Sequence, residues 1–301
     1  MDKIELKALG KINLGLDVLG KRPNGYHDVR MVMQTIYLYD RIEIAESNEP
    51  GIRLVTNVGY LPVNEDNLVC RAARLLMDEF GIEQGLRIRL RKYIPVAAGL
   101  AGGSADAAAT LVGVNRLFGL KLSREELMKR GVKIGADVPY CVMRGTALAE
   151  GIGDVLTRLP NAPDLHVVLA KPPIHVSTAF VYKNLRADEL KTHPDIDAQV
   201  RAIREGDARA MAEQMGNVLE TVTIPAYPVI DEIKACMMRA GAVNAMMSGS
   251  GPSVFGLFDE EDRAKAAYKE LAEGSLARNV YLTRFFHAGG TAAEAARRNL
   301  W

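Results

Sequence analysis

Three parts of this chain carry residues able to do chemistry. The stretch "PVAAGLAGGSAD" at residues 95–106 gathers Gly99, Gly102 and Gly103 ahead of Ser104 and the alanine run "ADAAATL". Glycine loses more conformational freedom on folding than any other residue, so such a cluster marks backbone that turns sharply or approaches something closely. A helix start there adds unpaired N–H groups and the positive end of a dipole, both suited to an anion such as phosphate. Asp137, in "GADVP", is a carboxylate able to accept a proton, and Lys11, in "KINLGLD", an ammonium able to offset developing negative charge. Each has an ordinary alternative. The loop fits tight packing of a helix on a strand as well as a phosphate cradle, Asp137 fits a cap or turn beside Gly and Pro, and Lys11 fits a solvated strand face.

The elements holding these residues follow from periodicity and punctuation. Ile4, Leu6 and Ala8, then after Gly10 Ile12, Leu14, Leu16 and Val18, alternate as strand residues, which puts Lys11, Asn13 and Asp17 together on the opposite face. Pro23-Asn24-Gly25 in "KRPNGYHD" predicts a turn. "DRIEIAES" and "LRIRLRKYIP" alternate as strands, the second feeding the glycine loop, and "LVCRAARLLMDEFG" predicts a helix stopped by Gly81. "SADAAATLVGVNRLFG" reads as a buried helix, and "SREELMKRG" opens with a capping box from Ser123 to Glu126. "GADVPYCVMRGTALAEGIGDVLTRL" is expected to return to strand character around a glycine-rich turn.

Beyond "LPNAPD" the pattern changes. Strand-like "LHVVLA", "SVFGLF" and "VYLTRFF" interleave with helical "DAQVRAIREGDARAMAEQM", "PVIDEIKACMMRAG" and "DRAKAAYKELAEG", and the tail "GGTAAEAARRNLW" predicts a short surface helix. No steady βαβα rhythm runs through the chain, so the expected class is α+β, with a domain boundary near residue 160.

Composition excludes several classes of function. Across 301 residues, 48% are hydrophobic, enough for a substantial core, and 38 basic residues face 37 acidic ones, so no overall field points to nucleic acid or a membrane surface as partner. Cys70, Cys141 and Cys236 lie far apart without a CxxC pair, which argues against both a disulfide framework and a zinc site. With no apolar run of about 18 residues, the expectation is a soluble cytoplasmic protein.

Taken in order, "KINLGLD", the glycine loop, "GADVP" and "MMSGSGPSVFGLF" resemble the superfamily of galactokinase, homoserine kinase, mevalonate kinase and phosphomevalonate kinase. Within it, "KINLGLDVLGKRPNGYH", "EDNLVCRAA", "GLAGGSADAA" and "GADVPY" are most similar to the branch acting on a cytidine diphosphate-linked polyol of the non-mevalonate isoprenoid route.

The resemblance implies a two-domain small-molecule kinase fold. Residues 1–160 would form an ATP-binding and catalytic domain and residues 161–301 a substrate-binding domain. It further implies that Pro95, Gly99, Leu100, Ala101, Gly102, Gly103 and Ser104 wrap the ATP phosphates, with Asn67, Leu68 and Lys92 toward the adenine. Ala101 departs from the glycine common there, and its methyl group forbids the most glycine-like φ values. By the same resemblance Asp137 accepts the substrate hydroxyl proton, Lys11 contacts Asp137 and the reacting oxygens, and Asn13 orients the substrate. Tyr26 and Tyr182 would stack on the cytosine while His27 reads its polar edge. Mg²⁺ is implied by the chemistry of ATP, though no DxD-like pair identifies ligands for it. The competing expectations are another kinase of the superfamily, the related diphosphate decarboxylase, or a nucleotide-binding sensor without catalysis. "PNGYH" with Tyr182 suits a cytidine and has no purpose for an acyclic alcohol, and the presence of both Lys11 and Asp137 disfavours the sensor.

Overall fold

The computed structural model describes residues 3–289, so the helix expected over the tail from residue 290 lies outside the described residues. The chain begins with strands β1 (Lys3–Lys21), β2 (His27–Ser47) and β3 (Ile52–Thr56), then helix α1 (Leu68–Phe80) and strand β4 (Gly85–Arg91). Helices α2 (Gly102–Leu117), α3 (Arg124–Gly131) and α4 (Val138–Met143) follow, then β5 (Thr146–Glu150) and β6 (Val155–Arg158). The rest comprises β7 (His166–Lys171), α5 (Thr178–Asn184), α6 (Ile196–Glu205), α7 (Ala208–Glu213), α8 (Glu220–Ala226), α9 (Val229–Arg239), β8 (Asn244–Met247), β9 (Val254–Phe258), α10 (Glu261–Glu273) and β10 (Asn279–Arg284).

Two sheets result, an α+β architecture. The first runs β3-β4-β2-β5-β6 with β1 paired along β2, and the second runs β10-β7-β9-β8; the chain passes from one to the other between Arg158 and His166. All pairs are antiparallel except β3 with β4, which are joined through α1. Ile12, Leu14, Val32 and Ile36 of the first sheet meet Val167, Leu169, Phe255 and Leu257 of the second in one core. A separate core takes Leu6, Ala8, Leu16 and Val18 of β1 with the buried faces of α1, α2 and α4.

That division shows what β1 does. Even-numbered residues 6 and 8 pack toward the helices, 12 and 14 toward the second sheet, and 16 and 18 toward the helices again. The switches coincide with irregularities in the pairing with β2 between Leu9 and Lys11 and between Asn13 and Gly15. A bulge reverses the side on which subsequent residues project. Lys11 and Asn13 are thereby turned inward on the helix side, whereas Lys3 and Glu5 on the same parity are exposed. The expectation that Asp17 shares their face is corrected: after the second irregularity Leu16 takes that side, and Asp17 instead meets His193, Oδ1 to Nδ1 2.7 Å.

Two other segments differ from the sequence reading. "VPYCVM" is helix α4 instead of strand, because Pro139 sits in the first turn, where its fixed φ and missing N–H are tolerated, and all six residues are buried. Strand β2 begins at His27, well before "DRIEIAES", since its long apolar run is buried on both faces and does not alternate. Helix α2 lies so close to the first sheet that a methyl group on Gly113 would sit 2.5 Å from Ile44 Cδ1. Its run of small side chains permits that approach.

Candidate active site

The start of α2 lacks a protein cap. α1, α3, α5, α6 and α7 are each capped by their own N-cap side chain, whereas α2, like α4, α8, α9 and α10, is not: its N-cap is Ala101, which has no oxygen to offer. Ala101 holds the left-handed conformation, φ 53° and ψ 31°, at a cost of about 1–2 kcal/mol for a residue with a Cβ. The first helical bond runs from Ala105 N–H to Ala101 O, 2.8 Å, so the N–H groups of Gly102, Gly103 and Ser104 precede it and point out of the helix. Gly99, at φ 74°, presses on the turn at 248–251: a methyl group there would lie 2.2 Å from Ser248 O, and Ser248 Oγ donates to Gly99 O at 3.0 Å. Gly103 is different, because a methyl group on it would meet nothing nearer than Leu68 Cδ1 at 3.7 Å. Packing does not require glycine at 103.

Two cavities flank this loop. The larger, about 490 Å³, is lined by Lys11, Asn13, Gly99, Ala101, Ser104 and Asp137 on one side and by Tyr26, His27 and Tyr182 on another. Lys11 is buried; its N–H donates to Leu100 O at 3.1 Å, and its Nζ donates to Asn13 Oδ1 at 2.7 Å. Asn13 Nδ2 in turn donates to Met31 Sδ at 3.2 Å, which fixes the amide orientation. Asp137 occupies the N-cap position of α4, yet its side chain makes no capping hydrogen bond. Its carboxylate is left for the cavity. Among the described residues no ion pair joins Lys11 to Asp137; they share the cavity through the strand register of β1 and the start of α4.

The ring-lined side is partly assembled. His27 and Tyr182 lie in tilted contact, ring centroids 5.2 Å apart, while Tyr26 stands 61% exposed at the mouth. Burial and then Lys21 hold the His27 imidazole below its ordinary pKa, so it is neutral near pH 7. Burial, with a smaller contribution from Asp137, pushes the Tyr182 phenol up to about 12, which keeps it protonated.

The smaller cavity, about 190 Å³, lies on the other flank of the loop and is walled by Leu61, Pro62, Leu68, Leu90, Pro95 and Val96, with Asn67, Lys92, Gly102, Gly103 and Asp106. Asn67 does not offer its amide to this space: Oδ1 caps α1 through Val69 N–H at 3.0 Å and Nδ2 donates to Pro62 O at 2.8 Å. Lys92 Nζ is held between Asp40 and Asp106, 2.6 Å from Asp106 Oδ2. Burial works against its ammonium, but the two carboxylates outweigh it and raise its pKa. Of the loop residues expected around ATP, Leu100 lines neither cavity, its side chain being buried between the sheets.

The sequence reading missed Asp40 and Asp106, which anchor Lys92, and Thr178 and Ser250, whose hydroxyls pair at 2.8 Å on the wall of the larger cavity. Asp106 had a signal, since a lone carboxylate inside an alanine-rich helix is an anomaly. Ser250 lies in the "MMSGSGPSVFGLF" stretch that carried part of the resemblance, whereas Thr178 had no signal, because it meets Ser250 only through the fold.

The chain matches the family described as GHMP kinases N terminal domain over residues 67–145 and GHMP kinases C terminal over residues 199–275. A crystal structure of a 4-(cytidine 5'-diphospho)-2C-methyl-D-erythritol kinase superposes with a TM-score of 0.81 at 30% identity, covering 95% of this chain and all of that one. A homoserine kinase from Cytophaga hutchinsonii shares the fold, with a TM-score of 0.75 at 22% identity over 94% of each chain. The fold and the uncapped glycine loop define a GHMP-type small-molecule kinase. The 4-diphosphocytidyl-2-C-methyl-D-erythritol kinase of Lachnospira eligens is 58% identical over 95% of this chain and 99% of its own length. That of Acetivibrio thermocellus is 50% identical over 90% and 95%. The chain belongs to the 4-diphosphocytidyl-2-C-methyl-D-erythritol kinase family.

Proposed function

We propose that this kinase transfers the γ-phosphoryl group of ATP to the 2-hydroxyl of 4-diphosphocytidyl-2-C-methyl-D-erythritol, in the cytoplasm. The observation that carries this reading is the continuity of the larger cavity, in which Lys11 and Asp137 share one space with Tyr26, His27 and Tyr182. An acyclic alcohol would leave the three rings without a purpose.

On this reading the triphosphate crosses the start of α2, its base in the smaller cavity, its γ-phosphoryl beside Ser104 and Lys11. The substrate oxygen attacks the γ-phosphorus, the bond to the β–γ bridging oxygen breaks with its electron pair leaving on ADP, and the hydroxyl proton passes to Asp137. Lys11, fixed by Asn13, holds positive charge where the transferring oxygens gain negative charge. Most of the work is positioning, which suits a site built on two buried strands and two helix starts.

Mg²⁺ would draw most of its ligands from phosphate and water. The Ser104 hydroxyl on the cavity wall would hold it, and the ion would supply charge neutralisation when bound. Residues 1–160 contribute the loop and both catalytic groups. Residues 161–301 contribute Thr178, Tyr182, Gly249 and Ser250 to the substrate wall.

The test is a coupled ADP-release assay against cytidine diphosphate-linked methylerythritol, its uridine analogue, mevalonate and homoserine. Turnover of the cytidine compound well above the others is expected. Preference for an acyclic alcohol would overturn the assignment.

A further inference from the structure

Asn217 lines neither cavity, yet both polar atoms of its side chain are committed to backbone beside the site. It is buried. Its Nδ2 donates to Met247 O at 2.9 Å and to Gly249 O at 2.8 Å, and its Oδ1 accepts from Leu219 N–H at 3.0 Å. The two carbonyls can only accept and the backbone N–H can only donate, so a single orientation of the amide satisfies all three. Glu220, at the start of α8, takes the remaining backbone group of Met247: its Oε1 accepts from Met247 N–H at 2.7 Å, while its Oε2 accepts from Lys234 Nζ at 2.6 Å. Asn217 and Glu220 thereby fix the end of β8 and the turn that follows it.

That turn, residues 248–251, touches both the glycine loop and the catalytic pair. A methyl group on Gly249 would lie 3.5 Å from Gly99 O, 3.5 Å from Asn13 Oδ1 and 3.7 Å from Lys11 Nζ. Ser248 adds its bond to Gly99 O. Asn217 is itself anchored to β1, because Leu16 N–H donates to Gly216 O at 2.8 Å and Val218 N–H donates to Leu16 O at 3.1 Å. A closed frame results. It runs from β1 through Asn217 and the turn to the glycine loop, and returns to β1 through the bond from Lys11 N–H to Leu100 O. Buried carbonyls are costly to leave without a donor, so loss of the Asn217 amide would shift the turn against the loop, the catalytic pair or both.

We propose that Asn217 is a positioning residue for phosphoryl transfer, acting through the 248–251 turn to set the glycine loop relative to Lys11 and Asn13. The inference rests on reading that loop as the ATP phosphate site. Phosphoryl transfer depends on alignment more than on covalent help from the protein, so a small displacement of the turn is enough to slow it. The glycine loop of the first half of the chain thus takes its working shape from the second half.

The test measures ATP binding by calorimetry without acceptor substrate, and turnover per binding-competent site, in Asn217→Asp, Asn217→Ala, Ser248→Ala and the double variant Asn217→Asp with Ser248→Ala. Asn217→Asp keeps the shape and the acceptor for Leu219 N–H but has no donor for the two carbonyls. It is expected to weaken ATP about tenfold and to lower kcat per site about tenfold, at a stoichiometry near one. Asn217→Ala should lose as much. A residue serving stability alone would reduce the binding-competent fraction and leave affinity and turnover per site unchanged. One needed only for its volume would leave Asn217→Asp like wild type. Either result overturns the proposal.

Ser248→Ala cuts one link from the turn to Gly99 and should weaken ATP about threefold, and the double variant should bind ATP no worse than Asn217→Asp alone. Full additivity would show that Asn217 does not act through the turn. If neither Asn217 variant folds, Ser248→Ala decides alone: unchanged ATP affinity there overturns the proposal. Gly103→Val separates the two levels of the argument. Unchanged ATP affinity in Gly103→Val removes the phosphate site itself, whereas loss there with no effect at Asn217 removes only this proposal.

Discussion

In the larger cavity the reactive side chains are left to the ligand, whereas in the smaller one the polar side chains are engaged by the scaffold. Asp137 stands at a helix start without capping it, and Lys11 is held by a single side-chain bond to Asn13. Across the loop, Asn67 caps α1 and braces Pro62, and Lys92 is locked between Asp40 and Asp106. The contrast is chemical in origin. On the proposed assignment, the acceptor site needs groups that change partner during reaction, while the site for a flat, unreactive base needs walls that hold their shape. Substitutions on the first side should therefore alter turnover at constant stability, and on the second alter stability together with nucleotide binding.

The sharpest division is expected at Asp137. Asp137→Asn keeps shape but removes proton acceptance, and should lower kcat by ~10²- to 10⁴-fold with an unchanged melting temperature. Lys11→Ala should likewise reduce kcat more than it raises KM for ATP. A variant of Asp137 within about threefold of wild type would remove it from catalysis.

Lys92→Met should do the reverse. Removing the ammonium leaves the Asp40 charge buried without its cation, at a cost of about 3–5 kcal/mol in urea unfolding, with catalysis in the surviving folded fraction much less affected. The neighbouring acid adds a pH signature. A carboxyl whose folded pKa is raised contributes stability that is complete below its unfolded pKa and lost as pH rises through the folded value. Asp40 and Lys92 are the charged groups bonded within this cluster. The unfolding free energy of Asp106→Asn, which cannot titrate, should thus gain on wild type steadily from acid toward alkaline pH.

A smaller effect is expected at the rings. Tyr26→Ala should weaken the cytidine substrate by about 1–3 kcal/mol, with ATP affinity unaltered, as expected when a base loses a stacking partner. His27→Ala should relax the choice between cytidine and uridine substrates, read as the ratio of kcat/KM values. An unchanged ratio would make "PNGYH" a turn and nothing more.

The smallest effect tests why position 103 lacks a side chain. Because a methyl group there has room within the protein, Gly103→Ala should stabilise the fold by about 0.5–1 kcal/mol through helix propensity while weakening ATP. Stability gained without loss of ATP affinity would show that the glycine serves no ligand.

Most local structure was legible in the chain. The capping box at Ser123, the stop at Gly81, the turn at Pro23-Asn24-Gly25 and the helix after the glycine loop all appear where short-range rules put them. These depend on neighbours within a few residues, and sequence carries that information directly. The motifs named the expected site residues, of which the fold gathers Lys11, Asn13, Asp137, Tyr26, His27 and Tyr182 about one cavity and leaves Leu100 outside both.

What tertiary structure alone decided concerns long-range pairing. The irregularities in β1 at Leu9/Lys11 and Asn13/Gly15 exist only against β2, yet they place Lys11 and Asn13 on the cavity side and turn Asp17 toward His193. "VPYCVM" became helical because burial on all six residues overrode an extended reading. The Asp40–Lys92–Asp106 cluster joins a strand, a loop and a helix separated by 52 and 14 residues, and its buried charge balance emerges only when they meet. Sequence determines which groups are available and what each short segment prefers. Which of them are desolvated together, and so which must hold a proton or surrender a side chain to the scaffold, is a property of the packed molecule, because electrostatic cost depends on distance and burial that no local pattern encodes.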